Sequence, residues 1–283
     1  MKRPQWIVIV AGILFATCLY KFGRTSPAKK PQVPAAADSH QHNTEPVITD
    51  TILAISKRQL TPSQRQKITL LENSISRGDV KGQQLQVYKD LARFWSDSGR
   101  VFEPYAWYTA EAARLENSEK TLTFAAHLFL ENLRLNSDEQ MVRWRALQAK
   151  DLFERSLKIN PDNDSSKVGL GACYLFGGIS DAPMEGIAII REVAERDSTN
   201  IFAQITLAQG SLLSRQYEKA ITRLQTIHRL QPGNVEVILM LADTYEQMGD
   251  NTRAADWYKE SLKYINQPGV RTEIEKRIES LSK

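Results

Sequence analysis

Cysteine is nearly absent from this sequence, because 283 residues contain only Cys18 and Cys173. Neither cysteine lies in a CxxC spacing, and neither has a second cysteine nearby with which to pair or to share a metal ion. Disulfide-stapled domains and structural zinc sites need such groups of cysteines. The sequence therefore predicts no disulfide framework and no zinc site.

Histidine is also scarce, and none of the four histidines belongs to a catalytic motif. His127 and His228 fall on predicted helices without a companion ligand, while His40 and His42 alone cannot complete a tetrahedral metal site. The motifs GxSxG, HExxH and GxxxxGKS/T are absent. Because catalysis needs reactive groups held in one pocket, we predict no enzyme activity, no catalytic residue, no metal, no cofactor and no small-molecule substrate.

The body of the chain lacks an excess of basic residues. Residues 1–44 carry six Lys or Arg against one acid, Asp38, whereas the remaining 31 basic and 32 acidic residues nearly cancel. A nucleic-acid-binding protein needs basic residues in excess to neutralise phosphates. The charge distribution therefore predicts no nucleic-acid partner.

One apolar run, Trp6–Tyr20, lies near the amino terminus. These fifteen uncharged residues follow Lys2 and Arg3 and are ended by Lys21. As a helix the run is about 22 Å long. This length is shorter than the hydrocarbon core of a bilayer, which is about 30 Å thick. A single span would therefore need local thinning of the bilayer or snorkelling of Lys21. We predict that residues 1–24 form a signal-anchor segment that crosses the membrane once.

Two alternatives to an uncleaved anchor stay open. A cleaved signal peptide needs small residues just after the apolar run, but Lys-Phe-Gly-Arg stands there and Ala35–Ala37 lies far downstream. A lipoprotein would use Cys18, but the preceding Phe-Ala-Thr differs from the usual processing motif. An uncleaved anchor fits the sequence better than either.

The segment after the anchor, residues 25–60, is rich in proline, alanine and polar residues and is predicted to be a flexible tether. The positive charges on the two sides of the apolar run nearly balance. Because a short, charged amino-terminal tail is hard to translocate, we expect the tail to stay inside. The domain after the tether is then expected in the periplasm.

A repeat runs through the rest of the chain. LKINPDN around Pro161 and RLQPGN around Pro232 each close an amphipathic helix, and they lie 71 residues apart. Ser198 stands at the same place in AERDSTN, which gives steps of 37 and 34, and Asn266 follows 34 residues after Pro232. A period of 34 is the length of a helix-turn-helix repeat.

The inner pattern resembles the tetratricopeptide family. LGxxY occurs at Leu170, Gly171 and Tyr174, and YEKAITRLQTIHRLQPGN, Tyr217 to Asn234, is similar to the family's second helix. The second helices supply small residues that allow paired helices to approach: Gly186, Ala220 and Ala254. The departures are Ser211 for the aromatic residue, Ser198 and Asn266 for proline, and an insertion near Ile179 to Pro183.

The resemblance implies an all-α, right-handed α-solenoid of paired helices over residues 61–283. The best-matched repeats are 164–200, 201–234 and 235–268, and the weaker repeats are 83–118 and 119–163. A helix that begins with Thr61 and Pro62 precedes them, and residues 270–281 form a polar closing helix. Solenoid ends need such caps.

In the tetratricopeptide family, the first helices line a concave groove that binds protein segments. The equivalent residues here, which we call the first-helix groove, are mostly apolar with an acidic end: Val168, Ala172, Leu175, Phe202, Ile205, Gln209, Leu212, Leu239, Asp243 and Glu246. The Lys and Asn by which some members grip a terminal carboxylate are replaced by Val168 and Ala172. We therefore do not expect this protein to be an adaptor that binds the terminal carboxylate of a partner.

An aromatic cluster in FWSDSGRVFEPYAWY is a second place where a partner could bind, although packing between helices is the commoner role of such residues. Its members are Phe94, Trp95, Phe102, Tyr105, Trp107 and Tyr108. Taken together, the sequence predicts a membrane-tethered scaffold that binds a protein or peptide segment in the first-helix groove. The alternative is an accessory subunit of an envelope assembly or cytochrome-maturation machine.

Overall fold

The computed structural model describes residues 49–75, 81–133, 138–179 and 183–282. Within these ranges all regular structure is helical and no strand occurs, which confirms the all-α prediction. The helices are α1 (Thr49–Arg58), α2 (Pro62–Ile75), α3 (Lys81–Phe94), α4 (Phe102–Glu116), α5 (Glu119–Glu131), α6 (Glu139–Ile159), α7 (Asp164–Phe176), α8 (Pro183–Arg196), α9 (Ile201–Leu213), α10 (Tyr217–Leu230), α11 (Val235–Gln247), α12 (Asn251–Ser261) and α13 (Pro268–Leu281). A π-helical turn, Trp95–Gly99, follows α3.

Consecutive helices pack in pairs, and the pairs stack on one another. α3 packs against α4, α5 against α6, α7 against α8, α9 against α10 and α11 against α12. The second helix of each pair also packs against the first helix of the next, and α5 contacts α7 as α7 contacts α9. Such nearest-neighbour stacking defines a helical-repeat solenoid. The predicted solenoid fold is therefore confirmed.

A capping asparagine recurs at the start of three first helices. The side chains of Asn163, Asn200 and Asn234 accept a hydrogen bond from the backbone N–H three residues later, at 2.8, 3.0 and 3.2 Å. Each asparagine also donates its own backbone N–H to the carbonyl three residues earlier, which closes the same turn each time. An asparagine cap contributes about 1 kcal/mol over alanine. Equivalent turns therefore begin α7, α9 and α11.

Small residues allow the two helices of a pair to lie close together. A Cβ atom on Gly186 of α8 would stand 2.4 Å from the carbonyl oxygen of Gly171 on α7. In the next two pairs the second-helix position is Ala220 and Ala254, and both are fully buried. The prediction that these alanines pack at helix contacts is confirmed.

The helix α1 corrects the predicted end of the tether at residue 60. Ile52 and Ser56 of α1 are buried, and so is Leu60 after it. α1 packs against α4, and Trp144 Nε1 donates a hydrogen bond to Thr49 Oγ1 at 3.1 Å. An amphipathic helix of ten residues thus docks on the solenoid where composition had indicated a solvated linker.

The predicted anchor, residues 1–24, and the rest of the predicted tether, residues 25–48, lie outside the described residues. None of the helices that the structure does describe has both the length and the apolar character needed to span a bilayer.

Candidate protein-binding surfaces

The clearest part of the first-helix groove lies on α9. Phe202, Ile205, Gln209 and Leu212 follow one another at helical spacing on one face, and all four are only partly buried. Leu213, next to them, is 62% exposed. The opposite face of α9 is buried in the core through Ala203, Gln204, Thr206, Leu207 and Ala208. α9 therefore presents an accessible, mainly apolar stripe on a firmly packed helix.

Val168 and Ala172 were predicted to line the first-helix groove, but the structure buries both. Their exposed fractions are 0% and 2%. Val168 packs with residues of α8 and α9, namely Ile190, Val193, Ala194, Ala203 and Leu207. Phe202 packs against this cluster and also meets His127 of α5, with ring centroids 5.4 Å apart. Val168 thus belongs to the core between α7, α8 and α9, and the burial of Val168 and Ala172 removes both residues from the groove.

The ring of His127 links neighbouring repeats at this point. It meets Phe153 edge-on, with centroids 5.2 Å apart, and its Nε2 lies 2.7 Å from Ser165 Oγ. Burial lowers the pKa of His127 below its usual value, and the charge of Glu131 opposes that shift only partly. The lowered pKa favours the neutral imidazole, which packs against the neighbouring rings and shares a hydrogen bond with Ser165.

The acidic end of the first-helix groove is partly occupied by the chain itself. The Tyr258 hydroxyl, which has a single proton to donate, lies within hydrogen-bond reach of two carboxylates, Asp243 at 2.5 Å and Glu246 at 3.0 Å, and Arg277 Nε of α13 donates to Glu246 at 2.9 Å. Burial, and then the hydrogen bond to Asp243, raise the pKa of Tyr258. Asp243 is exposed. The closing helix therefore neutralises Glu246 and leaves Asp243 as the more accessible carboxylate.

The two remaining groove residues are partly buried at its edges. Leu239 packs against the carboxy-terminal core. Leu175 lies over Gly210, where an added Cβ would stand 2.8 Å from Leu175 Cδ2. Both side chains stay partly accessible and suit contact with a partner surface.

The aromatic cluster is mainly packing between helices. Phe94, Trp95 and Tyr108 are buried, and Phe102, Tyr105 and Trp107 pack at the edges of core clusters. The Tyr108 hydroxyl donates to Glu72 at 2.7 Å, which ties α4 to α2. With these rings committed to the core, the cluster offers no continuous platform for a partner.

The reactive side chains do not converge. Cys173 is buried, and burial raises the pKa of its thiol to about 12, which disfavours the nucleophilic thiolate. No group of three His, Cys, Asp or Glu in the described ranges is placed to hold a metal ion. The described residues thus present surfaces suited to binding and no clustered reactive groups.

A cleft between α8 and α10, which the sequence reasoning did not select, has a volume of about 700 Å³. Buried Gln204 and Leu207 of α9 contribute to its floor. Its other lining residues come from α7, α8, α9, α10 and the adjoining turns: Leu175, Met184, Ile187, Arg191, Ser198, Gly210, Ser211, Ser214, Gln216, Lys219, Thr222, Arg223 and Thr226. The only sequence signal for this α8–α10 cleft was Ser211, which replaces the aromatic residue of LGxxY.

The ionisable side chains that line the α8–α10 cleft are all basic. The cleft contains Arg191, Lys219 and Arg223 and no acidic side chain. Arg223 donates to Gln204 Oε1 at 2.8 Å, and in the described part of the chain neither arginine forms an ion pair. Burial, together with the charge of Arg191, lowers the pKa of Arg223, while Glu195 acts in the opposite direction. Glu195 is therefore close enough to act on Arg223, but it forms no ion pair with that guanidinium.

The comparisons with known proteins agree with the repeat architecture. A family profile described as tetratricopeptide repeat matches residues 211–270, which include all of α10, α11 and α12. No protein with a curated description matches the chain.

Solved structures with similar folds include MamA and PilW. MamA from Desulfovibrio magneticus RS-1 shares 21% identity over 66% of this chain and 96% of that chain, with a TM-score of 0.45. A second MamA structure shares 14% identity over 65% and 92%, with a TM-score of 0.44. PilW, described as a widely conserved type IV pilus biogenesis factor, shares 17% identity over 70% and 90%, with a TM-score of 0.48. Likenesses this distant carry no conclusion about function.

Proposed function

We propose that this protein is a membrane-tethered scaffold that binds a protein or peptide segment in the first-helix groove. The observation that carries the proposal is the stripe of Phe202, Ile205, Gln209 and Leu212, which stays accessible on a helix whose other face is buried. A repeat solenoid that keeps apolar side chains accessible along one face is suited to holding an extended or helical segment.

The proposed binding surface is the predicted groove without its two buried members. It comprises Leu175, Phe202, Ile205, Gln209, Leu212, Leu239, Asp243 and Glu246. Apolar side chains of the partner would supply most of the affinity on α9, because burial of apolar surface is the main favourable term in such contacts. A Lys or Arg of the partner near Asp243 would set register and association rate, because exposed charges act mainly on those quantities.

The membrane tether is part of the proposal and rests on composition. Residues 1–24 carry the apolar run with its flanking basic residues, and residues 25–48 are rich in proline, alanine and polar residues. In this proposal the repeat domain lies in the periplasm and presents its groove there.

The test uses the full-length chain with Leu212→Lys and Asp243→Lys, which place two cations on the proposed surface. We expect this double variant to lose the partner that the wild type captures after chemical crosslinking and solubilisation. The captured protein, once identified, should also bind the purified wild-type chain directly. Leu230→Lys with Asp256→Lys is the matched control, because both positions are exposed outside the groove and the charge change is the same.

The control variant should retain the partner. If the groove variant stays folded and captures the same protein as the wild type, the first-helix groove is not the binding surface. A partner from an envelope assembly or cytochrome-maturation machine would assign this chain to the accessory-subunit class.

A further inference from the structure

The origin of the α8–α10 cleft is visible when two successive repeats are compared. Tyr245 of α11 stands 34 residues after Ser211 and is 4% exposed. Gln225 of α10 donates to the Tyr245 hydroxyl at 3.4 Å, and the Arg253 guanidinium of α12 lies 4.5 Å from the ring centroid. In that repeat, a tyrosine therefore fills the space between the two second helices.

In the preceding repeat, long side chains stand at the positions of Gln225 and Arg253, but no aromatic ring stands at the position of Tyr245. The equivalents of Gln225 and Arg253, each 34 residues earlier, are Arg191 of α8 and Lys219 of α10. Both line the α8–α10 cleft, and Ser211 stands at the tyrosine position. The cleft is thus the place of an absent aromatic side chain, with a cation on each wall.

The chemistry of the lining selects an anion beside an apolar group. No carboxylate lines the space that Arg191, Lys219 and Arg223 share, and Arg223 is partly buried within reach of the charges of Arg191 and Glu195 without forming an ion pair. Guanidinium groups pair with carboxylates through short, charge-assisted hydrogen bonds. Met184, which is 64% exposed, and Ile187 add apolar surface on the same wall as Arg191.

We propose that the α8–α10 cleft binds an acidic segment of a protein partner, with a carboxylate side chain held by Arg191 and Arg223 and an apolar neighbour on Met184 and Ile187. Charge complementarity carries the choice of occupant, since every ionisable side chain that lines the cleft is basic. This site goes beyond the proposed function, because its lining shares only Leu175 with the first-helix groove.

The first experiment measures fluorescence anisotropy of a labelled, end-blocked peptide that alternates leucine and glutamate, titrated with the full-length chain. Arg191→Gln with Arg223→Gln should weaken binding by about tenfold or more, because each lost charge-assisted hydrogen bond costs a measurable fraction of the affinity. A peptide that alternates leucine and glutamine should bind the wild type as weakly as the acidic peptide binds this variant.

The matched control removes two arginines from the same helices outside the cleft. Arg196→Gln with Arg229→Gln changes the net charge equally, and we expect less than a twofold change in affinity. Equal weakening by the control and the cleft variant would mean non-specific attraction and would overturn the proposal.

A steric variant provides an independent readout. Ser211→Tyr should place a ring where Tyr245 stands in the next repeat, abolish peptide binding and leave the thermal midpoint at or above that of wild type. Full peptide affinity in the folded Ser211→Tyr variant would also overturn the proposal. The variant Leu212→Lys with Asp243→Lys should leave peptide binding within about twofold, so failure of one site is distinguishable from failure of the other.

Discussion

His127 joins three helix pairs through a single ring. It lies on α5, contacts Phe202 of α9 and faces the Ser165 hydroxyl of α7. Because its pKa is lowered by burial, the folded chain accepts a proton on this ring only at a pH below that at which the unfolded chain does. Its protonation is therefore coupled to the stability of the solenoid.

The sign of that coupling gives a prediction. As pH falls below about 6.5, the unfolded chain gains a proton that the folded chain resists, so the free energy of unfolding should decrease. His127→Phe keeps an aromatic ring between Phe153 and Phe202 but cannot titrate. Urea unfolding at pH 7.5 and pH 5.5 should show a smaller decrease for this variant than for wild type.

Other ionisable groups are common to both proteins and cancel in the comparison. The lost hydrogen bond to Ser165 should lower the stability of His127→Phe at both pH values without changing the slope. Equal slopes for the two proteins would contradict the assignment of a depressed pKa to His127.

At the scale of the element, α1 is an amphipathic helix that closes part of the core. Ile52 is 7% exposed and packs in a cluster that includes residues of α4, α5 and α6, whereas Ile55 of the same helix is 50% exposed. One turn of helix thus separates a core isoleucine from a surface one.

This pair supplies a matched test of α1 docking. Ile52→Ala should lower the free energy of unfolding by about 2–5 kcal/mol, or by the smaller cost of undocking α1 if the helix detaches. Ile55→Ala removes the same atoms from the surface and should change the free energy of unfolding by at most about 0.5 kcal/mol. Denaturant unfolding measures both, and equal effects would mean that α1 does not pack as described.

The helix α9 serves two proposed sites with different faces. Its partly buried stripe with Phe202 and Leu212 belongs to the first-helix groove, while Gln204, Leu207 and Ser211 line the α8–α10 cleft. The core residues between these faces hold α9 in place.

At the scale of the whole molecule, the proposed topology is testable with a reporter enzyme that is active only after export. Fused after Lys283 of the full-length chain, the reporter should be active, and the fusion should sediment with membranes. The same fusion begun at Glu45 lacks the proposed anchor and should be inactive and remain in the supernatant.

Two results would change this topology. A membrane-bound but inactive full-length fusion would reverse the orientation. A soluble, shortened product would mean that the apolar run is a cleaved signal peptide, and the repeat domain would then be untethered.

The sequence by itself determined the features that depend on local chemistry and recur at the fixed spacing of the repeat. The turns at Pro161, Ser198 and Pro232 and the small residues Ala220 and Ala254 were readable because turns and helix contacts act within one repeat and recur with it. That recurrence is enough to predict an all-α solenoid without knowing how the repeats curve.

Only the tertiary structure decided which residues on those helices are accessible. Val168 and Ala172 hold groove positions in the pattern, yet the structure buries both, and Val168 packs among residues of α8 and α9. Likewise, the cleft beside Ser211 depends on the separation of α8 and α10. Such outcomes follow from distances between side chains on different helices, which are set by the stacking of whole repeats and cannot be read from a pattern within one of them.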